Sequence, residues 1–208
     1  MTNLSVIDFK RLFFLLLILI PAYCFSQDQG NAEVTDVTKA TILPPGISYE
    51  KKIGRVQTLY AQAFMNITFA IGYSSSFGTT SSINFDPALT LQYRYYYNSG
   101  TREAKGKRTE MNSLNYVGAI SQTDFAKEII YTPTSSEKRG RTIYTFGIVW
   151  GMQRNYERRF SLDLNLGPGF YSTKTHTVDN RGQFITENIV QPTLVIEFNL
   201  GFWLNKGK

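Results

Sequence analysis

The chain has 208 residues, which is enough for one domain. Aromatic residues make up 14% of it, with 15 Phe and 13 Tyr, and this content favours strands over helices. One Cys and one His exclude a disulfide framework and a typical zinc site. The net charge is +6, but the basic residues gather in predicted connections rather than along one helix, so no nucleic-acid partner is expected. These basic residues are Arg102, Lys105, Lys107, Arg108, Lys138, Arg139 and Arg141.

Residues 1–26 have the pattern of a secretory signal peptide and predict a short signal helix that is cleaved. Lys10 and Arg11 supply the positive start, and residues 12–20 form an uninterrupted apolar run before Pro21. As a helix, this run would span only about half of a bilayer core, so it is too short for a membrane anchor.

The predicted cleavage site follows Ser26, because Cys24 and Ser26 place small side chains at the −3 and −1 positions. Lipidation of Cys24 is an alternative, but Tyr23 is too bulky for the position that precedes a lipidated cysteine. Cleavage would remove the only cysteine and lower the net charge to +5. We expect residues 27–32 to form a short lead and residues 33–208 to form the mature domain.

After this segment, apolar and polar residues alternate with period two, which predicts strands separated by turns. In residues 158–172, for example, Leu162 and Leu164 lie on one face, while Asp163 and Asn165 lie on the other. The predicted strands are 33–43, 46–54, 58–73, 85–97, 113–121, 144–153, 158–172 and 190–204.

The first of these strands is assigned because single-chain bacterial barrels have an even number of strands. The fold class predicted is therefore all-β, a closed antiparallel up-and-down transmembrane β-barrel of eight strands. On the apolar face of the 113–121 strand we expect Leu114, Tyr116, Gly118 and Ile120.

The composition of the two faces favours a membrane barrel over a soluble secreted one. A soluble barrel would cover its outside with Lys and Glu. Here the polar faces consist mostly of Gly, Ser, Thr, Asn and Gln, and the apolar faces are nearly free of charge, as lipid contact requires. Tyr73, Tyr93, Tyr95, Tyr97 and Tyr144 fit interfacial girdles, although strand propensity alone is an alternative explanation.

If the N-terminus is periplasmic, outer loops are predicted at residues 44–45, 74–82, 125–141 and 173–187. The periplasmic turns are then 54–57, 99–112 and 155–158. The second turn is longer than the class expects, and its core at Arg102–Lys105 could form one helical turn. Residues 129–131 could either bind a ligand in an outer loop or extend the strands past the membrane.

The export signal, the alternating strands and the near-terminal segment Phe198–Trp203 resemble the small eight-stranded outer-membrane barrels, the OmpA transmembrane-domain and OmpX class. The resemblance covers residues 33–204. It implies a place in the Gram-negative outer membrane, contact with lipopolysaccharide and phospholipid, and folding by the outer-membrane assembly machinery. In that family the machinery recognises an aromatic residue at the C-terminus, whereas in this chain residues 205–208 follow the last strand.

An eight-stranded barrel is only wide enough inside for side chains, so a plugged lumen is expected and inward charges must find partners. The inward charged candidates are Glu50, Lys52, Arg94, Asp163 and Glu197. We predict a cross-lumen ion pair between Arg94 and Glu197, with Asp163 sharing the same cation, and with Glu50 and Lys52 joining. A structural role is the first interpretation of this network, and a gate or proton path is the second.

No catalytic, metal or cofactor site is predicted. His176 and Asp179 lie in a hydroxyl-rich segment, but their spacing matches no catalytic motif. The sequence therefore favours a non-enzymatic barrel with a structural role or a binding role through its outer loops, whose extracellular ligand stays open. A small passive channel and a lipid-modifying enzyme are the alternatives.

Overall fold

The computed structural model describes residues 32–74, 78–131, 136–178 and 184–205. The predicted signal peptide, residues 1–26, lies outside the described residues. Within the described part of the chain, no helix is long and apolar enough to cross a membrane.

Eight antiparallel strands form one closed barrel in up-and-down order, as the alternation predicted. The ring closes because β1 pairs with both β2 and β8, which confirms the first strand. One α-helix and one short 3-10 helix lie between β4 and β5. The elements are β1 Val37–Leu43, β2 Pro45–Gly54, β3 Gln57–Ser74, β4 Gly78–Tyr96, α1 Ser99–Ala104, the 3-10 turn Glu110–Asn112, β5 Asn115–Tyr131, β6 Ser136–Asn155, β7 Phe160–Val178 and β8 Phe184–Trp203.

The two ends of the barrel differ. The lower end carries both chain termini of the described barrel and the connections 55–56, 97–114 and 156–159. The upper end is where β3 meets β4, β5 meets β6 and β7 meets β8. The helical turn predicted near residues 102–105 is present as α1.

The predicted outer loops 74–82, 125–141 and 173–187 are wrong over most of their length, because the strands continue through them. The β5–β6 ladder, for instance, continues to the pair Tyr131 and Ser136. The prediction ended strands where their apolar alternation weakened. Backbone pairing does not require an apolar face, so a hairpin can continue with polar side chains on both sides.

Several residues assigned to loops therefore lie in strands. Residues 129–131 extend β5 and so lie in a strand rather than in a loop. Lys138, Arg139 and Arg141 belong to β6. His176 belongs to β7, where its backbone is paired with Thr186 of β8.

The barrel is apolar outside and polar inside. Leu91, Ile148 and Ile196 are 63%, 70% and 63% exposed on the outer face. In contrast, Arg94 is fully buried and Asp163 is only 2% exposed. A barrel stabilised by an apolar core would show the opposite distribution.

The face predicted for β5 is inverted at its lower end. Leu114, Tyr116 and Ile120 are buried inside, whereas Val117 is 43% exposed outside. Both faces of this segment are small or apolar, so alternation alone could not identify the inner one. Tyr116 points inward because the buried Asp163 accepts a hydrogen bond from its hydroxyl.

The strands are strongly tilted. Following the paired residues around the ring from Gly201 of β8 leads back to Ile189 of the same strand, twelve residues closer to the upper end. A stagger of this size corresponds to a tilt of about 45° to the barrel axis. Side chains that are paired across neighbouring strands therefore lie at different heights in the lumen.

The connection 97–114, here called the base segment, closes the lower end. Its Leu114 packs with Val34, Val56, Tyr96 and Tyr116 into a buried apolar cluster. This cluster forms a dry layer between the lumen and the lower end of the barrel.

Polar contacts hold the base segment in place. The Asn112 amide accepts a hydrogen bond from Thr35 N at 2.7 Å and donates one to Thr35 O at 2.8 Å. Asn155 Nδ2 and Arg154 Nη1 donate to the carbonyls of Met111 and Leu114. The base segment is thus bonded both to the residues that precede β1 and to β6.

Candidate functional site

Four buried charged residues meet in the lower half of the lumen and are called the lumen cluster: Lys39, Glu50, Arg94 and Asp163. They come from β1, β2, β4 and β7, and each is at most 2% exposed. Each occupies an inward position of its strand, so period-two alternation alone brings them into the lumen. Two cations and two carboxylates give the cluster no net formal charge.

Arg94 is the centre of the lumen cluster. Its Nη1 donates to Asp163 Oδ2 at 2.9 Å and to Gln153 Oε1 at 2.7 Å. Its Nε donates to Gln92 Oε1 at 2.6 Å. Arg94 is thereby fixed by groups from its own strand and from β6 and β7.

Two aromatic rings enclose the same guanidinium. Its Cζ lies 3.8 Å from the ring centroid of Tyr60 and 4.4 Å from that of Tyr116. Cation–π contacts of desolvated groups contribute about 2 kcal/mol each. They stabilise the positive charge where water has no access.

Glu50 is held by hydrogen bonds to both of its carboxylate oxygens. Oε1 accepts from Thr58 Oγ1 at 2.7 Å and from Tyr96 OH at 2.5 Å, and Oε2 accepts from Gln153 Nε2 at 3.1 Å. Arg94 Nη1 lies 3.9 Å from Oε2. Burying this charge is tolerable because its lone pairs have partners.

Asp163 links the two cations. In addition to Arg94, it faces Lys39 Nζ at 3.5 Å from Oδ2 and accepts from Tyr116 OH at 2.7 Å on Oδ1. Removing either cation would leave the buried lumen cluster with one uncompensated negative charge. The lumen cluster is therefore a plug whose members depend on one another.

A layer of amides lies directly above the lumen cluster. Gln92 Nε2 donates to Asn165 Oδ1 at 3.1 Å, and Asn165 Nδ2 donates to Glu197 Oε2 at 2.8 Å. Gln62 Nε2 donates to Asn199 Oδ1 at 3.0 Å. These hydrogen bonds link side chains of different strands across the lumen.

The structure brings together Arg94, Asp163 and Glu50 of the five predicted residues. It does not bring Glu197 to Arg94, so the predicted Arg94–Glu197 ion pair is wrong for the described contacts. The reason is strand tilt: Glu197 is paired with Asn165, one inward position above Asp163 on β7. The prediction placed Arg94 and Glu197 by counting residues from the strand ends, and such a count does not account for this difference in height.

Lys52 also lies elsewhere. It forms an ion pair with Glu33, which precedes β1, and its side chain is one-third exposed. Lys39 takes the place of the second cation that Lys52 was expected to supply. Its signal in the sequence is its alternation with Val37 and Thr41 within the predicted strand 33–43. That strand was assigned from the even strand count, and its inner face was not identified, so Lys39 was not among the inward candidates.

Over the described ranges, no group of three or more His, Cys, Asp or Glu side chains could hold a metal ion. Asp179, considered as a partner for His176, lies outside the described residues.

No protein-family model, no curated protein and no solved structure matches this chain.

Proposed function

We propose that the protein is an integral outer-membrane β-barrel with a side-chain-plugged lumen and a structural or binding role. The observation that carries this proposal is the distribution of polarity across the wall. Charged side chains are buried in the lumen, while Leu, Ile and Phe side chains cover the outer face. Hydrocarbon is the solvent that such an outer face requires.

The size of the exposed apolar surface argues against the soluble alternative. Soluble monomers rarely expose a contiguous apolar patch larger than a few hundred Å². Here outward apolar residues follow one another on all sides, for example Leu91 on β4, Ile148 on β6 and Ile196 on β8. Around the lower part of the wall, where all eight strands are paired, the closed ring also satisfies the backbone hydrogen bonds that a lipid environment leaves without water.

The lumen supports a non-conducting barrel rather than the alternative of a small passive channel. The lumen cluster crosses the barrel with hydrogen bonds between side chains of opposite walls. Below it, Leu114 and Tyr116 belong to the dry apolar layer of the base segment. An ion that entered from above would have to displace both layers.

A binding role would use the hairpins that extend the barrel at its upper end. β5–β6 and β7–β8 carry their ladders beyond the outward apolar rows, and a rigid hairpin is a suitable support for recognition. Lipopolysaccharide and phospholipid would surround the wall, and the outer-membrane assembly machinery would insert it.

Fractionation of cell envelopes tests the location of the protein. We expect it in the outer-membrane fraction after carbonate washing, with a gel mobility that shifts upon boiling because the folded barrel resists detergent. Recovery in the aqueous periplasmic fraction, or a mobility that boiling does not change, would contradict the proposal.

Planar-bilayer recording of the purified, heat-shifting protein tests the plug. We expect no steady ionic steps from the parent protein. Reproducible steps in the parent would favour the channel alternative.

A further inference from the structure

The barrel wall is incomplete above the β1–β2 hairpin. β1 ends at Leu43 and β2 begins at Pro45, whereas β3 and β8 continue far toward the upper end. Pairing between β2 and β3 reaches Phe64, and pairing between β1 and β8 reaches Leu200. Above these residues an opening separates β3 from β8, and we call this opening the wall notch.

The wall notch lies within the apolar rows of the outer face. Beside it on β8, the outward side chains of Leu194, Ile196 and Phe198 are 60%, 63% and 43% exposed. If the protein spans the outer membrane as proposed above, the wall notch opens toward acyl chains. The inference below rests on that proposed function.

A cavity of about 410 Å³ passes through the wall notch. Its outer rim is apolar, and its inner end is polar. Gln122 of β5, on a different part of the wall, also lines it, so the cavity reaches from the outer surface into the lumen. The rim includes Leu43, Pro44, Ile196 and Phe198, and the inner end includes Gln62, Gln122, Glu197 and Asn199. Phe64 also lines the cavity, from an inward position of β3 like that of Gln62.

Glu197 is the charged residue at the inner end. Its Oε2 accepts from Asn165, but its buried Oε1 has no hydrogen-bond partner in the structure. An unsatisfied buried carboxylate oxygen costs free energy, and a hydrogen-bond donor placed in the cavity would remove that cost.

The charges around the cavity indicate which head group would fit. Arg94 and Lys39 are already engaged by Asp163 in the lumen cluster below. Above the cavity, Asp124 accepts hydrogen bonds from Asn66 and Gln122 and adds a second carboxylate. An anionic head group would meet carboxylates there, whereas a cationic one would be attracted.

We propose that the wall notch binds a single-chain amphiphile whose head group is a primary amine. The amine donates to Glu197 Oε1, and the chain leaves along Ile196 and Phe198 into the surrounding hydrocarbon. The cavity has the volume of about a dozen water molecules at ~30 Å³ each. It therefore accommodates the head group and the first carbons of the chain, while the remainder lies outside the barrel.

Photo-crosslinking tests this site on the full mature protein in maltoside micelles, after its heat-dependent mobility shift has been verified. The probe is dodecylamine with a diazirine near the amino end, and the matched probe is dodecanoic acid with the same diazirine. We expect the amine to label β3 and β8 beside the wall notch about tenfold more than the acid, as one charge-assisted hydrogen bond predicts. Equal labelling by the two probes, or amine labelling spread evenly over the outer face, would overturn the proposal.

Two pairs of variants locate the site. Glu197→Gln should lower amine labelling about tenfold, while Glu187→Gln, an exposed acid on the same strand, should leave it unchanged. Ile196→Trp should block the rim, while Leu194→Trp, also outward on β8 but not part of the cavity, should not. Labelling that survives both Glu197→Gln and Ile196→Trp would contradict the site.

The failures of the two proposals are distinguishable. If the folded barrel is located in the outer membrane but is not labelled by the amine probe, only the ligand site is contradicted. A protein found in the aqueous fraction contradicts the membrane proposal, whatever the probe does in micelles.

Discussion

Arg94 is the residue on which the interior of the barrel depends. It joins Asp163 by a hydrogen bond of 2.9 Å, approaches Glu50 at 3.9 Å and lies between the rings of Tyr60 and Tyr116. A buried ion pair contributes little relative to apolar residues, but removing one partner leaves an uncompensated charge.

Arg94→Met should therefore lower the free energy of unfolding by about 3–5 kcal/mol, the usual cost of breaking a buried pair. The measurement is urea unfolding of the barrel refolded into lipid vesicles, followed by tryptophan fluorescence. Arg158→Met removes an exposed cation from the β6–β7 turn and should change stability by less than about 0.5 kcal/mol. If Arg94→Met is as stable as the parent, the charges are not coupled as described.

Gly151 provides room for one of the two rings. A Cβ at this position would lie 2.1 Å from Cζ of Tyr116, whose ring covers the glycine on the neighbouring strand. The Tyr116 hydroxyl is bonded to Asp163, so the ring cannot move without breaking that contact.

Gly151→Ala should destabilise the barrel by about 1–3 kcal/mol, the range for overpacking. Gly140→Ala on the same strand is the matched control, because a Cβ there has no heavy atom within 4 Å. Equal unfolding midpoints of the two variants in urea would show that Tyr116 is not fixed over Gly151.

Asp36, the residue directly before β1, provides a pH-dependent contact. Hydrogen bonds from Lys51 Nζ, the Lys52 backbone N–H and Tyr49 OH lower the pKa of Asp36 below its ordinary value of 3.8. Because the folded pKa is lowered, this contact contributes stability above pH 3.8. The contribution is lost as the pH falls through the lowered folded pKa.

Carbon-13 NMR titration of the Asp36 carboxyl group checks this prediction. We expect a pKa below 3.8 in the parent and a higher one in Lys51→Ala, because the first cause of the shift is removed. Lys127→Ala, on a different part of the barrel, should leave the Asp36 titration unchanged. A parent pKa at or above 3.8 would contradict the contact.

Among the elements, the base segment has the clearest mechanical role, because it closes the lower end. Leu114→Ala should lower the free energy of unfolding by about 2–4 kcal/mol, since it opens a cavity in the buried apolar cluster. Val117→Ala, outward on β5, should cost less in lipid because acyl chains can fill the space. Urea unfolding in vesicles compares them, and an equal loss in both would indicate that the base segment does not pack as described.

Seven of the eight strands were predictable because the signal for each is local, and the first was assigned from the even strand count. Alternation such as Leu162, Asp163 and Leu164 identifies both a strand and its inner face within a few residues. It fails where both faces are alike, as at Tyr116 and Val117, and where a strand continues without an apolar face, as in β7 beyond Thr173.

The contacts across the lumen could be predicted only in part, because they depend on strand stagger. The sequence indicates that Arg94, Asp163 and Glu197 face inward. Which carboxylate reaches Arg94 depends on a stagger of twelve residues around the ring, and no local pattern encodes that number. The wall notch was not predicted for a related reason: its cavity is lined by Phe64, Pro44 and Phe198, which come from three distant parts of the chain.

At the scale of the whole molecule, the central claim concerns which side of the wall contacts lipid. The barrel buries Lys39, Glu50, Arg94 and Asp163 and exposes rows of Leu, Ile and Phe. Such a molecule would expose extensive apolar surface in water, whereas in a bilayer the same surface is solvated and the inner charges stay paired.

Nuclear Overhauser effects between acyl-chain protons and backbone amides, recorded on the deuterated protein in a phospholipid nanodisc, test this claim directly. We expect acyl-chain contacts at the amides of Leu91, Ile148 and Ile196 around the whole barrel. A preparation in which these amides contact water instead, while acyl-chain signals are absent from all of them, would contradict the account.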